Sequence, residues 1–188
     1  METALSSPFH PSYMNTEALR CLKERRSIRK FKKEQIKDEE LDLILEAGTY
    51  APTGMGKQSP YIVAVQNPED VEALNELNKK FMTYFSTAEP YYGAPTIVYV
   101  LAERDNPISF YDACAVGTNI VNAAYACGLG SCWIHRSKEM FDSDEGKAFL
   151  KKWGMPDGLM GVCSFAIGYA DCELPVPKPR KEGYITKV

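Results

Sequence analysis

Arg25, Arg26, Ser27 and Arg29 place three guanidinium groups and a hydroxyl within five consecutive positions. In an extended chain alternate side chains share a face, so Ser27 and Arg29, joined by Arg25, can converge on one anion, and a phosphate is the natural candidate. A plainer role suits the same residues, because basic side chains complement the negative end of a preceding helix. A second basic pair, Lys178 and Arg180, lies on one side of the proline-stiffened stretch PVPKPR near the other end of the chain. Solvated charge on a tail is the plainer reading there. The two clusters acquire a joint meaning only if the fold brings them together.

The loop Pro52, Thr53, Gly54, Met55, Gly56, Lys57 and Gln58 carries little side-chain bulk and many backbone amides, which suits close approach to a flat ligand as well as an ordinary turn into a strand. It lacks the G-x-x-x-x-G-K-[ST] pattern of a phosphate loop, and no G-x-G-x-x-G follows a strand. Metal chemistry is not expected. The only histidines are His10 and His135, and the six cysteines (Cys21, Cys114, Cys127, Cys132, Cys163, Cys172) include no C-x-x-C pair. Most lie among apolar neighbours in a chain large enough to need no staples, so reduced, buried thiols are expected.

The elements that must position these residues follow from patterning. A chain of 188 residues, 45% hydrophobic and 25% charged, has the size and composition of one globular domain. Its net charge of −3 argues against a general nucleic-acid binder. No apolar run is long enough for a membrane span, and the first twenty residues lack a basic start followed by an apolar block, so a cytoplasmic protein is expected. Residues 1–14 read as an N-terminal arm, and 15–188 as a single domain. Asn15 or Thr16 can cap a helix with Leu19 and Leu22 on its apolar side. A second helix from about Lys37 to Gly48 buries Leu41, Ile44, Leu45 and Ala47. Asn67 and Pro68 start a third that fades near Phe81. The segment 109–128 is a long helix apolar on nearly every side, so it needs covering on most of its circumference, either at the centre of the monomer or in a subunit interface. Residues 143–153 form another, capped by Ser143 and stopped by Gly154 and Pro156. Apolar runs near 61–66, 96–103, 130–135 and 160–169 read as strands. The terminal YITKV has strand composition and no hairpin partner in its own sequence, so it can pair only with an edge elsewhere.

Taken in order, RRSIRKF, APTGMGKQSPYIVAV, GLGSCWIHR, GMPDGLMGVCSFAIGYA and the P-K-P-R tail resemble the nitroreductase family of flavoproteins over residues 16–188. The resemblance implies an α+β fold: a mainly antiparallel sheet flanked by helices, with the C-terminal tail exchanged across a homodimer. It implies that Arg25, Arg26, Ser27 and Arg29, with Lys178 and Arg180, hold the phosphate and ribityl chain of FMN. Pro52, Thr53, Gly54, Met55 and Gln58 would reach the ring from the partner subunit. Trp133, Ile134, His135 and Arg136 match the segment beside the isoalloxazine, where a backbone amide near His135 would donate to flavin N5. The chain departs from the family at His135 and Arg136, where an acidic residue and a glycine are common. Asn75, Asn78 and Lys79 are candidates for the flavin's pyrimidine edge, and Phe81, Tyr84, Phe85, Tyr91 and Tyr92 for a roof over the ring or for packing. The His135 side chain could protonate a reduced acceptor, although the flavin itself carries the redox chemistry.

The implied activity is an FMN oxidoreductase that takes hydride from NADH or NADPH and reduces nitroaromatics, quinones or similar electron-poor molecules by a ping-pong mechanism. A narrower relative reducing flavins or enones, or removing halogen, is the alternative within the fold. A flavin or nucleotide binder without turnover is the alternative outside catalysis.

Overall fold

The computed structural model describes residues 16–83 and 89–188. The expected arm over 1–14, together with Asn15, Tyr84 and Phe85, lies outside the described residues.

Four strands, β1 (Tyr61–Val65), β2 (Thr96–Glu103), β3 (Gly130–Ile134) and β4 (Leu159–Gly168), form one antiparallel sheet in the order β1-β2-β4-β3. They fall where the apolar runs predict. β2 is buried at every position but Glu103, which is why TIVYVLA is apolar throughout instead of alternating. A strand covered on both faces has no solvent side to mark. Its pleat divides the residues between two cores. Ile97, Tyr99 and Leu101 join Leu74 and Leu77 of α3 (Pro68–Lys80) and Met140 and Phe141 of α5 (Ser137–Asp142). Val98, Val100 and Ala102 face Val116 and Ile120 of α4 (Ser109–Ala126) and Ile44 of α2 (Asp38–Thr49). The last helix, α6 (Asp144–Lys152), adds Leu150 to the first core. The fold is thus α+β, a helix-covered antiparallel sheet.

Local signals account for the helix ends. Asn67 caps α3 by accepting from the amides of Glu69 and Asp70, with Pro68 at the first position, where a missing N–H costs nothing. Ser143 serves two helices at once. Its hydroxyl donates to the Met140 carbonyl at the end of α5 and accepts the Gly146 amide at the start of α6.

Three features concern surfaces that the chain leaves uncovered by its own core. Helix α1 (Glu17–Glu24), capped by Thr16, buries no residue, and Leu19 and Leu22 are exposed. Its apolar side is real but meets no core of its own chain. Helix α4 is covered on one side only, with Phe110 44% and Tyr111 72% exposed. Residues 184–188 form no strand within the chain, and every residue from 171 onward is exposed.

Helix α4 lies close on the sheet because Gly117 has no side chain. A Cβ there would stand 2.6 Å from the Phe165 ring and 2.9 Å from Cys163 Sγ. Gly→Ala inside a helix ordinarily gains about 1 kcal/mol, but overpacking a filled core costs about 1–3 kcal/mol. Gly117→Ala should therefore lower stability by up to about 2 kcal/mol, read as an earlier midpoint in urea unfolding with an unchanged slope.

Candidate functional site

The backbone after α1 runs along the exposed edge of β3. Ser27 forms a parallel bridge with Ser131, and the Ile28 amide donates to the Ser131 carbonyl at 2.9 Å. Four residues on, Phe31 bridges Ala170, just past the end of β4. The Lys32 amide donates to Tyr169, the Asp171 amide to Lys30, and Lys30 pairs with the Asp171 carboxylate at 2.8 Å. The chain that leaves β4 is thereby laid beside residues 27–32, and its prolines carry it back along them. Arg25, Arg26, Ser27 and Arg29 and the tail residues Lys178 and Arg180 line one pocket of about 300 Å³. Five cationic side chains and a hydroxyl face it, and no carboxylate lines it. A concave site with that charge is complementary to a phosphate.

The members are not equivalent. Arg26 Nη1 donates to the carbonyls of Lys23 and Arg25, both at 2.7 Å, so this arginine caps the end of α1, the plainer role weighed from sequence. Its buried Nε has no partner among the described residues. Arg180 Nη2 donates to the Lys178 carbonyl at 2.7 Å and stiffens the tail's turn. Beside the pocket, burial pushes the Cys132 thiol up, against the downward pull of Arg29, of a hydrogen bond with Ser27 and of Arg25. That thiol stays neutral and adds no negative charge.

The loop from Pro52 to Gln58 lines a different pocket of about 660 Å³, next to Thr49 and Tyr50. Its conformation is specified tightly for an exposed segment. Met55 and Gln58 both adopt positive φ, 54° and 50°, which non-glycine residues adopt only when surroundings demand it. The Gln58 amide donates to Thr53 Oγ1, and the Gly54 amide to Asp112 Oδ1 at 2.9 Å. Asp112, buried on α4, also lies beside Ser59 Oγ. Nothing in the sequence singles Asp112 out, since one acid in a long apolar helix carries no motif.

Trp133, Ile134, His135 and Arg136, at the end of β3, line a third cavity of about 640 Å³ together with Phe81 and Tyr92. Asn78, one of the three candidates for the flavin's pyrimidine edge, faces the protein and is fully buried. Its Nδ2 donates to the His135 carbonyl and to the Tyr91 hydroxyl, both at 3.2 Å, and its Oδ1 accepts from Arg136 Nε at 2.8 Å. Asn75 is likewise engaged, by Glu89 and the Tyr91 amide. Lys79 pairs with Glu76 and Glu89, whose hydrogen bonds raise its pKa well above the usual lysine range. Tyr91 is buried core, not cavity roof. Burial holds its phenol and that of Tyr99 above the usual tyrosine value, so both remain donors near neutrality. All six thiols are free, and among the described residues no three His, Cys, Asp or Glu side chains are grouped to hold a metal. No described helix is long and apolar enough to cross a membrane.

Comparison with known proteins adds a family. The model described as "Nitroreductase family" matches residues 22–169. A nitroreductase with bound FMN from Bacteroides fragilis NCTC 9343 superposes with a TM-score of 0.85 at 33% identity, covering 93% of this chain and 100% of that one. A nitroreductase with bound FMN from Desulfitobacterium hafniense DCB-2 gives 0.84 at 28% identity, with the same coverage. An NADPH-dependent oxidoreductase from Staphylococcus saprophyticus is 26% identical over 182 residues, 89% of this chain and 70% of that protein.

The Asp112 anchor yields a direct expectation for the loop. Asp112→Ala leaves the Gly54 amide without its carboxylate, a charge-assisted bond worth about 1.5–3 kcal/mol. Amide hydrogen exchange over residues 52–58 should rise at least tenfold in that variant, and Asp112→Asn, which keeps an acceptor, should restore most of the protection.

Proposed function

The chain belongs to the nitroreductase family, and from that premise we propose that it is an FMN-dependent oxidoreductase, drawing hydride from NADH or NADPH to reduce nitroaromatics, quinones or similar electron-poor molecules. The observation that carries the reading is the carboxylate-free basic pocket built from both ends of the chain. An organic phosphate dianion fits it in sign and size, and two of the most similar structures are FMN-bound.

Arg25, Ser27 and Arg29, with Lys178 and Arg180 from the tail, hold the phosphate, while Arg26 fixes the end of α1 and with it the turn that presents them. Trp133, Ile134, His135 and Arg136 lie along the ring. Pro52, Thr53 and Gln58 line a separate pocket in one chain, and the loop that holds them together with Gly54 and Met55 serves the site of a second copy. The exposed Leu22, Tyr50, Met55 and Tyr111, and a tail exposed over its whole length, supply the apolar surface for such a homodimer. FMN bound there would supply the redox chemistry, two-electron transfer between nicotinamide and acceptor. The chain binds the dianion, orients the ring and limits water around it. In sum, NAD(P)H and a proton convert a quinone to a hydroquinone, or a nitro group to a nitroso group and water. Nicotinamide and acceptor use one cavity in turn, hence ping-pong kinetics.

The purified protein should be a yellow dimer that NADH or NADPH bleaches under nitrogen and that a nitroaromatic or quinone recolours. A yellow protein that never bleaches would mean a binder without turnover. Arg29→Glu should lower flavin occupancy at least tenfold while circular dichroism stays that of the folded chain. Full occupancy in that variant would remove the phosphate assignment.

A further inference from the structure

Arg136 sits where a side chain is least welcome. Its backbone is left-handed, φ 79° and ψ 7°, a conformation that costs a non-glycine residue about 1–2 kcal/mol. Such strain persists only where neighbours over-determine it, and here they do. Asn78 Oδ1 accepts from Arg136 Nε at 2.8 Å while Asn78 Nδ2 holds the His135 carbonyl. Behind Asn78 stands Tyr91, whose hydroxyl meets Tyr99 at 2.9 Å and Ser164 at 3.3 Å. Ser164 in turn donates to the Ile134 carbonyl at 3.3 Å. Three consecutive residues at the end of β3 are therefore tied to one buried polar network.

The nature of the clamp decides what Arg136 can do. Asn78 is a neutral amide, so it fixes the guanidinium without cancelling its charge. It occupies Nε alone, which leaves the paired Nη edge for a planar oxyanion. Among the described residues no carboxylate forms an ion pair with Arg136. Two carboxylates, Glu89 and Glu139, line the same cavity: Glu89 is bound by Lys79 and Asn75, and Glu139, exposed to solvent on α5, makes no ion pair with the guanidinium, so its charge is screened by water. Phe81 and Tyr92, packed on the core at this face of the sheet, supply flat apolar walls beside this charge, a combination suited to an aromatic body with a charged substituent.

We infer that Arg136 selects anionic aromatic electron acceptors, gripping a carboxylate or comparable oxyanion on the substrate while Asn78 holds the guanidinium in position. The inference rests on the proposed reductase reading, for which it names the substrate class.

The test uses the purified full-length protein and two probes of nearly equal shape, 4-nitrobenzoate and 4-nitrobenzamide, titrated calorimetrically without nicotinamide so that nothing turns over. The wild type should bind the carboxylate at least about tenfold more tightly than the amide, as a charge-assisted pair allows, and added salt should narrow the ratio. Arg136→Gly should collapse that ratio to near unity, and Arg136→Gln should do the same. The glycine variant should melt within about 3 °C of wild type, because relief of the left-handed backbone offsets the lost bond to Asn78. Equal binding of the two probes by the wild type would overturn the inference, as would a ratio that survives both substitutions. A variant that loses flavin but keeps the ratio would assign the guanidinium to the cofactor instead, and also overturns it. Colour and bleaching are scored separately: a colourless wild type that takes up no FMN sinks the reductase reading, whereas a yellow, reducible protein indifferent to the carboxylate sinks only this one.

Discussion

Like charges do not gather without a reason, and the basic pocket is where this fold works against electrostatics. Two unit charges held about 6 Å apart repel by about 3 kcal/mol at the effective dielectric near a protein surface. Five such groups face one small space with no acid among its lining. What forces them together is main-chain hydrogen bonding. Residues 27–32 are pinned along β3 at one end and beside the exit of β4 at the other, so the tail sets out from beside the arginines. Backbone geometry sets where this stretch starts, and a bound dianion would relieve the repulsion.

The same backbone economy explains how much of the molecule is readable from its residues. YIVAV, TIVYVLAE and MGVCSFAIG declare strands because a sheet covered on both faces demands unbroken apolar runs, and Asn67-Pro68 and Ser143 declare helix starts because their side chains or missing donors satisfy helix ends locally. The convergence of Arg25, Ser27 and Arg29 with Lys178 and Arg180 is legible once the family resemblance supplies a reason for two distant clusters to share a ligand. In each case the signal is local, or the distant partner carries an equally conspicuous motif.

What is not legible depends on contacts across the fold. Helix α5 has only six residues, too few for a period to emerge, and is held by Met140 and Phe141 in the core. Asn78 has the composition of a ligand contact, and only its bonds to the buried Tyr91 and to Arg136 reveal it as a clamp. Asp112 looks like a stray acid until the Gly54 amide is found against it. Leu19 and Leu22 state correctly that α1 is amphipathic, but no pattern within one chain can say what their exposed side packs against.

The bridge between Ser27 and Ser131 has a metrical consequence. It fastens the basic turn to the start of a strand whose far end carries Ile134, and three residues of extended chain span about 10 Å. β3 is therefore a ruler with an anion mark at one end and an aromatic cavity at the other. A molecule much shorter than that interval touches one mark or the other, never both. One with the right reach is measured along a hydrogen-bonded strand that cannot stretch, so length itself becomes a criterion of recognition.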